Sequence, residues 1–110
     1  MPGSLSLLEG IKTQVRVKDY RFTLHAGDRI TLRQISVRDI EQVLLGTVSE
    51  IIEDYPADPR GSSCLVFGFT AYGRPLHVQC TYPPNVAIVT AYEPDTGEWT
   101  DWRERKEVPQ

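Results

Sequence analysis

The spacing of apolar residues changes period near Thr47, and this constrains the fold more than any other feature of the chain. Upstream, apolar residues recur at helical spacing in three segments. Downstream they alternate, or run in short blocks broken by turn residues. Helices followed by a meander of strands predict an α+β domain. Its two or three N-terminal helices would pack on one face of a four-stranded antiparallel sheet.

Leu5, Leu8, Ile11 and Val15 predict a first helix over residues 4–17, capped by Ser4 and weakened by Gly10. Thr23 is the expected N-cap of a second helix running to about Arg33, with Phe22, Ala26 and Ile30 as its buried stripe. Ser36 opens a third, with Asp39 completing an acidic capping box, an apolar face of Val37, Ile40, Val43 and Leu44, and Gly46 as C-cap. Strands are expected over 48–53, 64–70, 75–82 and 86–92. The 54–63 segment, rich in Pro, Asp and Gly, reads as a loop. The tail from Glu93 is polar, and its Trp99 and Trp102 suggest docking on the body or on a partner.

A two-residue turn on Tyr72 and Gly73 would set residue 68 against residue 77. Leu65, Phe67, Phe69, Leu76, Val78 and Cys80 then share the core face. His77 lies on the polar face, in the open space left by Gly68. A slip of one residue would bury His77 instead. The same register puts Cys64 and Cys80 on opposite faces, which disfavours a disulfide.

At 110 residues, 40% apolar and 25% charged, the chain is expected to form one globular domain, 1–110. Residues 1–19 would be a variable N-terminal segment and 93–110 a polar C-terminal tail. No apolar run reaches membrane-spanning length and no secretory pattern opens the chain, so a cytoplasmic location is expected. The net charge of -3 argues against a protein that coats nucleic acid, and no DNA partner is expected. It leaves room for a small site where a few arginines meet one phosphate. P-loop, GxGxxG, GxSxG and HExxH signatures are absent. There is no CxxC, and Asp54 and Asp58 lack EF-hand spacing. No metal or other cofactor is expected.

His25, Arg29 and Arg33 recur every fourth residue and would form one helical ridge. His25 in a first helical turn favours the neutral imidazole, the form that acts as a base. Arg29 and Arg33 suit phosphate through planar forks, or form an ordinary surface ladder with Asp28 and Asp39. Arg74 and His77 make a second candidate cluster. Tyr55, Tyr82 and Tyr92 either stack on bases or belong to the core.

Several ordered segments resemble the bacterial domain-of-unknown-function family 4258. They are His25-Ala26-x-x-Arg29-x-x-x-Arg33-x-Ile35-Ser36, Asp39-Ile40-Glu41, Ile51-Ile52-Glu53-Asp54-Tyr55-Pro56-x-Asp58, Gly73-Arg74-Pro75-Leu76-His77-Val78 and Ile88-Val89-Thr90-Ala91-Tyr92. The resemblance covers roughly residues 20–92. That family is similar to the RelE-like toxin folds, many of which are metal-free endoribonucleases neutralised by an antitoxin encoded beside them. The acidic charge departs from the basic character usual in ribosome-directed toxins.

Two functions follow as expectations. In the first, the chain is a toxin that cleaves RNA by 2′-hydroxyl attack, with an antitoxin as partner. His25 and His77 would be acid and base, Arg29, Arg33 and Arg74 would bind the phosphate, and Tyr55 and Tyr92 would stack on bases. In the second, the fold is a non-catalytic interaction or regulatory domain. His25, Arg29 and Arg33 would then pair with Asp39, Asp54 or Asp58 to lock helix against loop.

Overall fold

The computed structural model describes residues 3–106, with side chains from Ser6 onward. The expected Ser4 cap and Leu5 contact lie outside the described side chains. Three helices lead: α1 (Gly3–Arg16), α2 (Leu24–Leu32) and α3 (Val37–Leu45). Thr23 caps α2 by accepting from the Ala26 N–H. Ser36 and Asp39 form the expected reciprocal capping box of α3, and Gly46 is its C-cap. The Thr23 cap and the Ser36–Asp39 box satisfy backbone N–H groups that a helix start leaves without a partner.

Two-residue β1 (Arg21–Phe22) precedes α2. The sheet continues with β2 (Glu50–Tyr55), β3 (Ser63–Phe69), β4 (Pro75–Thr81) and β5 (Ala87–Tyr92). Their order is β1-β5-β4-β3-β2. The four antiparallel strands are present, but the sheet is five-stranded and mixed, because β1 runs parallel to β5 with Arg21 beside Ala87. Phe22 therefore belongs to this strand and not to the stripe of α2. Two residues are too few to carry a period.

The register of the β3–β4 hairpin corrects the expectation by one residue. Phe67 faces His77 and Gly68 faces Leu76. The turn is a three-residue loop, Ala71-Tyr72-Gly73. The Thr70 N–H donates to the Arg74 carbonyl at 2.9 Å, and Gly73 takes a left-handed φ of 83°. One extra loop residue moves each side chain of the partner strand to the other face. Cys64, Val66, Leu76, Val78 and Cys80 thus face the helices, in a core with Leu8, Ile11, Ala26, Ile30, Ile40 and Val43. Leu65, Phe67 and His77 point to the second face. Cys64 and Cys80 face each other across the ladder as buried free thiols, not on opposite faces. Gly68 is the close-approach point of α3: a Cβ there would lie 2.8 Å from the Val43 carbonyl oxygen.

The tail covers that second face. A small hairpin of β6 (Trp99–Thr100) and β7 (Glu104–Arg105) lies over it. Trp102 stacks on Phe67 with ring centroids 6.1 Å apart, and Trp99 meets His77 edge-on at 4.4 Å. The tail's tryptophans dock on the body, as one of the two expectations held.

Candidate functional site

Two β-bulges aim the side chains of the site. Ile52 is the extra residue of β2, between Ile51 paired with Val66 and Glu53 paired with Leu65. Val89 is the extra residue of β5, between Ile88 paired with Cys80 and Thr90 paired with Gln79. Ile51 and Ile88 face the helices, so strict alternation would send Glu53, Tyr55, Thr90 and Tyr92 there too. Each bulge turns its pair to the second face. There Tyr55, Asp58, Arg60, Gln79, Tyr92 and Arg105 line a cleft of about 390 Å³.

His77 lies beneath this cleft, completely buried. Its Nε2 sits 2.6 Å from the Trp102 carbonyl oxygen, which can only accept, so Nε2 carries the proton. Its Nδ1 then accepts from the Tyr92 hydroxyl at 3.3 Å. Trp102 holds a φ of 60°, unusual for a bulky residue, and this strained turn presents its carbonyl to the imidazole. Burial lowers the His77 pKa, against the Trp102 hydrogen bond and the Glu53 charge, which raise it. Burial raises the pKa of Tyr92. The pair is therefore a neutral imidazole and an un-ionised phenol near pH 7.

Charged groups around the cleft are paired. Arg105 holds Glu53 through Nε at 2.8 Å and Nη2 at 3.2 Å, and the Tyr55 hydroxyl donates to the same carboxylate. Burial alone would raise the Glu53 carboxyl, but these donors keep it below its usual range. Tyr55 is pushed up to about 12 by burial and by that hydrogen bond. Arg60 holds Asp58 through Nε and Nη2, and the Ser63 hydroxyl adds a bond at 2.7 Å. Together they keep Asp58 well below the usual carboxylate range.

The residues expected from sequence divide into three groups. Tyr55 and Tyr92 come together in the cleft, with His77 under them. Arg33 reaches over the edge of β5 to the same face. Its Nη1 donates to the Ala91 carbonyl at 2.9 Å and the Thr90 hydroxyl at 3.2 Å, and its Cζ lies 6.0 Å from the Tyr92 ring centre. Arg74 is a clamp: its two terminal nitrogens donate to the Gln34 and Arg33 carbonyls that end α2, and its Nε binds Glu93 at 2.7 Å. His25 and Arg29 are exposed on α2 and make no side-chain hydrogen bond or ion pair among the described residues.

The two histidines are thus not brought together. His25 is on the helix layer and His77 is on the far face of the sheet, without accessible surface. The expected helix-to-loop seam does not form either. Asp39 caps α3, Asp54 accepts from Tyr82, and Asp58 is held by Arg60. Arg60 and Arg105 were missed by the sequence reading, because only the loop and tail conformations bring them to the cleft. Among the described residues no group of three His, Cys, Asp or Glu is placed to hold a metal ion. No helix there is long and apolar enough to cross a membrane.

The chain belongs to the family described as "Domain of unknown function (DUF4258)", whose family profile matches residues 22–93. No curated protein and no solved structure matches the chain. The matched segment contains β2 to β5, His77, Tyr55 and Tyr92, while Arg21 lies just before it. Arg105 and the hairpin that covers His77 lie beyond it.

Proposed function

We propose that this protein is a metal-independent endoribonuclease of the RelE-like toxin type, acting on single-stranded RNA in the cleft between Tyr55 and Tyr92. The carrying observation is the hydrogen-bonded chain from the Trp102 carbonyl through His77 to the Tyr92 hydroxyl, opening on a cleft that also holds Arg60 and Arg105. An acceptor orients a buried base, and the base meets the hydroxyl of a half-buried tyrosine that lines the cleft. The reaction type and an antitoxin partner come from the resemblance to RelE-like toxins. The residues come from the cleft.

In this reading the Tyr92 oxygen takes the proton of a ribose 2′-hydroxyl while its own proton passes to His77 Nδ1. The 2′-oxygen attacks the adjacent phosphorus, and the bond from phosphorus to the 5′-oxygen breaks. Water protonates that departing oxygen. The products are a 2′,3′-cyclic phosphate and a 5′-hydroxyl. The imidazolium proton returns through Tyr92 to the hydroxide left behind. Arg105 and Arg33 stabilise charge growing on the phosphate. Tyr55 supplies a stacking face. His25, Arg29 and Arg74 have no part in the step.

The test uses purified protein and a fluorescent single-stranded RNA. Wild type yields fragments ending in a cyclic phosphate, and Tyr92→Phe slows cleavage by about 100-fold or more with its fold intact by circular dichroism. His25→Ala cleaves at the wild-type rate. Absence of cleavage by wild type, or an unimpaired Tyr92→Phe, would falsify this reading.

One observation favours the second reading, a non-catalytic interaction domain. A groove of about 570 Å³ lies between α3 and the β3–β4 turn, with Leu45, Val48 and Phe69 in its wall. Such an apolar groove suits a partner segment. The RNA assay separates the readings, because the second predicts no cleavage by the intact chain.

A further inference from the structure

A second cavity adjoins the cleft. It has a volume of about 380 Å³ and lies among β1, the loop between β2 and β3, and the turn between β4 and β5. Arg21, Arg60, Ser62, Tyr82 and Asn85 line it. Arg60 also lines the first cleft, so one arginine borders two cavities of nearly equal size. Both volumes fall at the low end of the range that small-ligand sites occupy.

The donors around this second cavity are partly uncommitted. Arg60 uses Nε and Nη2 on Asp58, which leaves Nη1 without a partner among the described residues. Arg21 makes no ion pair, and the Asn85 amide makes no side-chain hydrogen bond, among those residues. The loop that carries Arg60 is already fixed. The Ser62 hydroxyl donates to the Pro56 carbonyl at 2.5 Å, the Gly61 N–H to the Asp58 carbonyl at 2.9 Å, and the Arg60 N–H to the Asp58 carboxylate at 3.0 Å. Gly61 takes a φ of 111°, a backbone conformation that L side chains rarely adopt. Donors held in place before a ligand arrives cost little ordering on binding.

We infer that the two cavities are adjoining nucleotide subsites, so that the ligand is a single-stranded RNA of at least two nucleotides. Arg60 holds the phosphate that links them, and Arg21 holds the phosphate beyond the second. The cleft takes one base against Tyr55 and Tyr92. The second cavity takes the next base against the Tyr82 ring and the Asn85 amide. A duplex does not fit this arrangement, since its bases are not splayed to reach two separate stacking faces. This inference rests on the RNA reading above and assigns its substrate length and path.

The test is binding of 2′-O-methyl oligoadenylates of one to four nucleotides, which the proposed 2′-hydroxyl chemistry cannot cleave. The affinity of the wild type is expected to rise about tenfold as the ligand grows from one nucleotide to three, then to level off. Arg21→Ala removes the part of that rise between two and three nucleotides and leaves the affinities for one and two nucleotides unchanged. Arg21 is exposed, so its truncation leaves the core intact. Equal affinity for all lengths, or a rise from two to three nucleotides that persists in Arg21→Ala, overturns the second subsite as drawn. If RNA is still cleaved in a Tyr92-dependent manner in that case, the functional reading stands without it. If no oligoadenylate binds and no RNA is cleaved, both fall.

Discussion

His77 shows how one buried residue couples the site to stability. Its ring has a hydrogen-bond partner at each nitrogen and aromatic neighbours in Phe67, Tyr92 and Trp99. Burial lowers its pKa from the ordinary 6.5, so the folded state prefers the neutral ring. The unfolded chain takes the proton first as pH falls. The contribution of His77 is thus fully present above about pH 6.5 and is lost as pH drops below that through the folded value. Glu53 and Asp58, both held below the usual carboxylate range, are lost only at lower pH. We expect the melting temperature to fall from pH 7 to pH 5 and the slope to flatten in His77→Gln. An equal slope in that variant would show that the imidazole is not the group responsible. The tyrosine above it carries the complementary constraint: its raised pKa keeps the phenolic proton available for transfer.

At the scale of elements, the tail hairpin behaves as part of the core. Trp99 is 4% exposed and lies against His77, and Arg105 rests its guanidinium 4.7 Å from the centre of the Trp99 ring. Trp99→Ala removes a buried indole and leaves a void over the sheet, at a cost of about 3–5 kcal/mol read from denaturant unfolding. A loss under about 1 kcal/mol would mean that the hairpin merely rests on the body. This role was not legible in the sequence, where two tryptophans in a charged tail allowed either the body or a partner as their contact. Local signals served better. Thr23, Ser36 with Asp39, and Gly46 cap as their side chains or position imply, since a cap depends on three or four neighbouring residues. Register depends on the loop. Gly73 as the third residue of Ala71-Tyr72-Gly73 is the signal for a left-handed closing position, and it decides that His77 is buried beside Phe67. The bulges at Ile52 and Val89 follow from pairing between strands distant in sequence, so no local period marks them. The cleft was therefore half visible, as Tyr55 and Tyr92 without the arginines that complete it.

For the whole molecule, a net charge of -3 sets how it can meet RNA. A protein that coats the backbone neutralises many phosphates and loses affinity steeply with salt. Here the cations near the proposed path are few, namely Arg33, Arg60, Arg105 and Arg21. Arg60 and Arg105 already share their charge with Asp58 and Glu53. The ligand must therefore be held by stacking and by two or three phosphate contacts. For single strands each contact contributes a slope of about 0.7 in log affinity against log salt. The expected total slope for a short oligoadenylate is about −1.4 to −2.1, measured between 50 and 200 mM salt on the scale of that relation. A slope near zero would remove the arginines from binding. A slope several times steeper would point to a broad basic surface, which this chain's charge does not provide. Within the expected range, substituting Tyr55 by Ala weakens binding at all salt concentrations alike, because stacking on a neutral ring carries no counterion term.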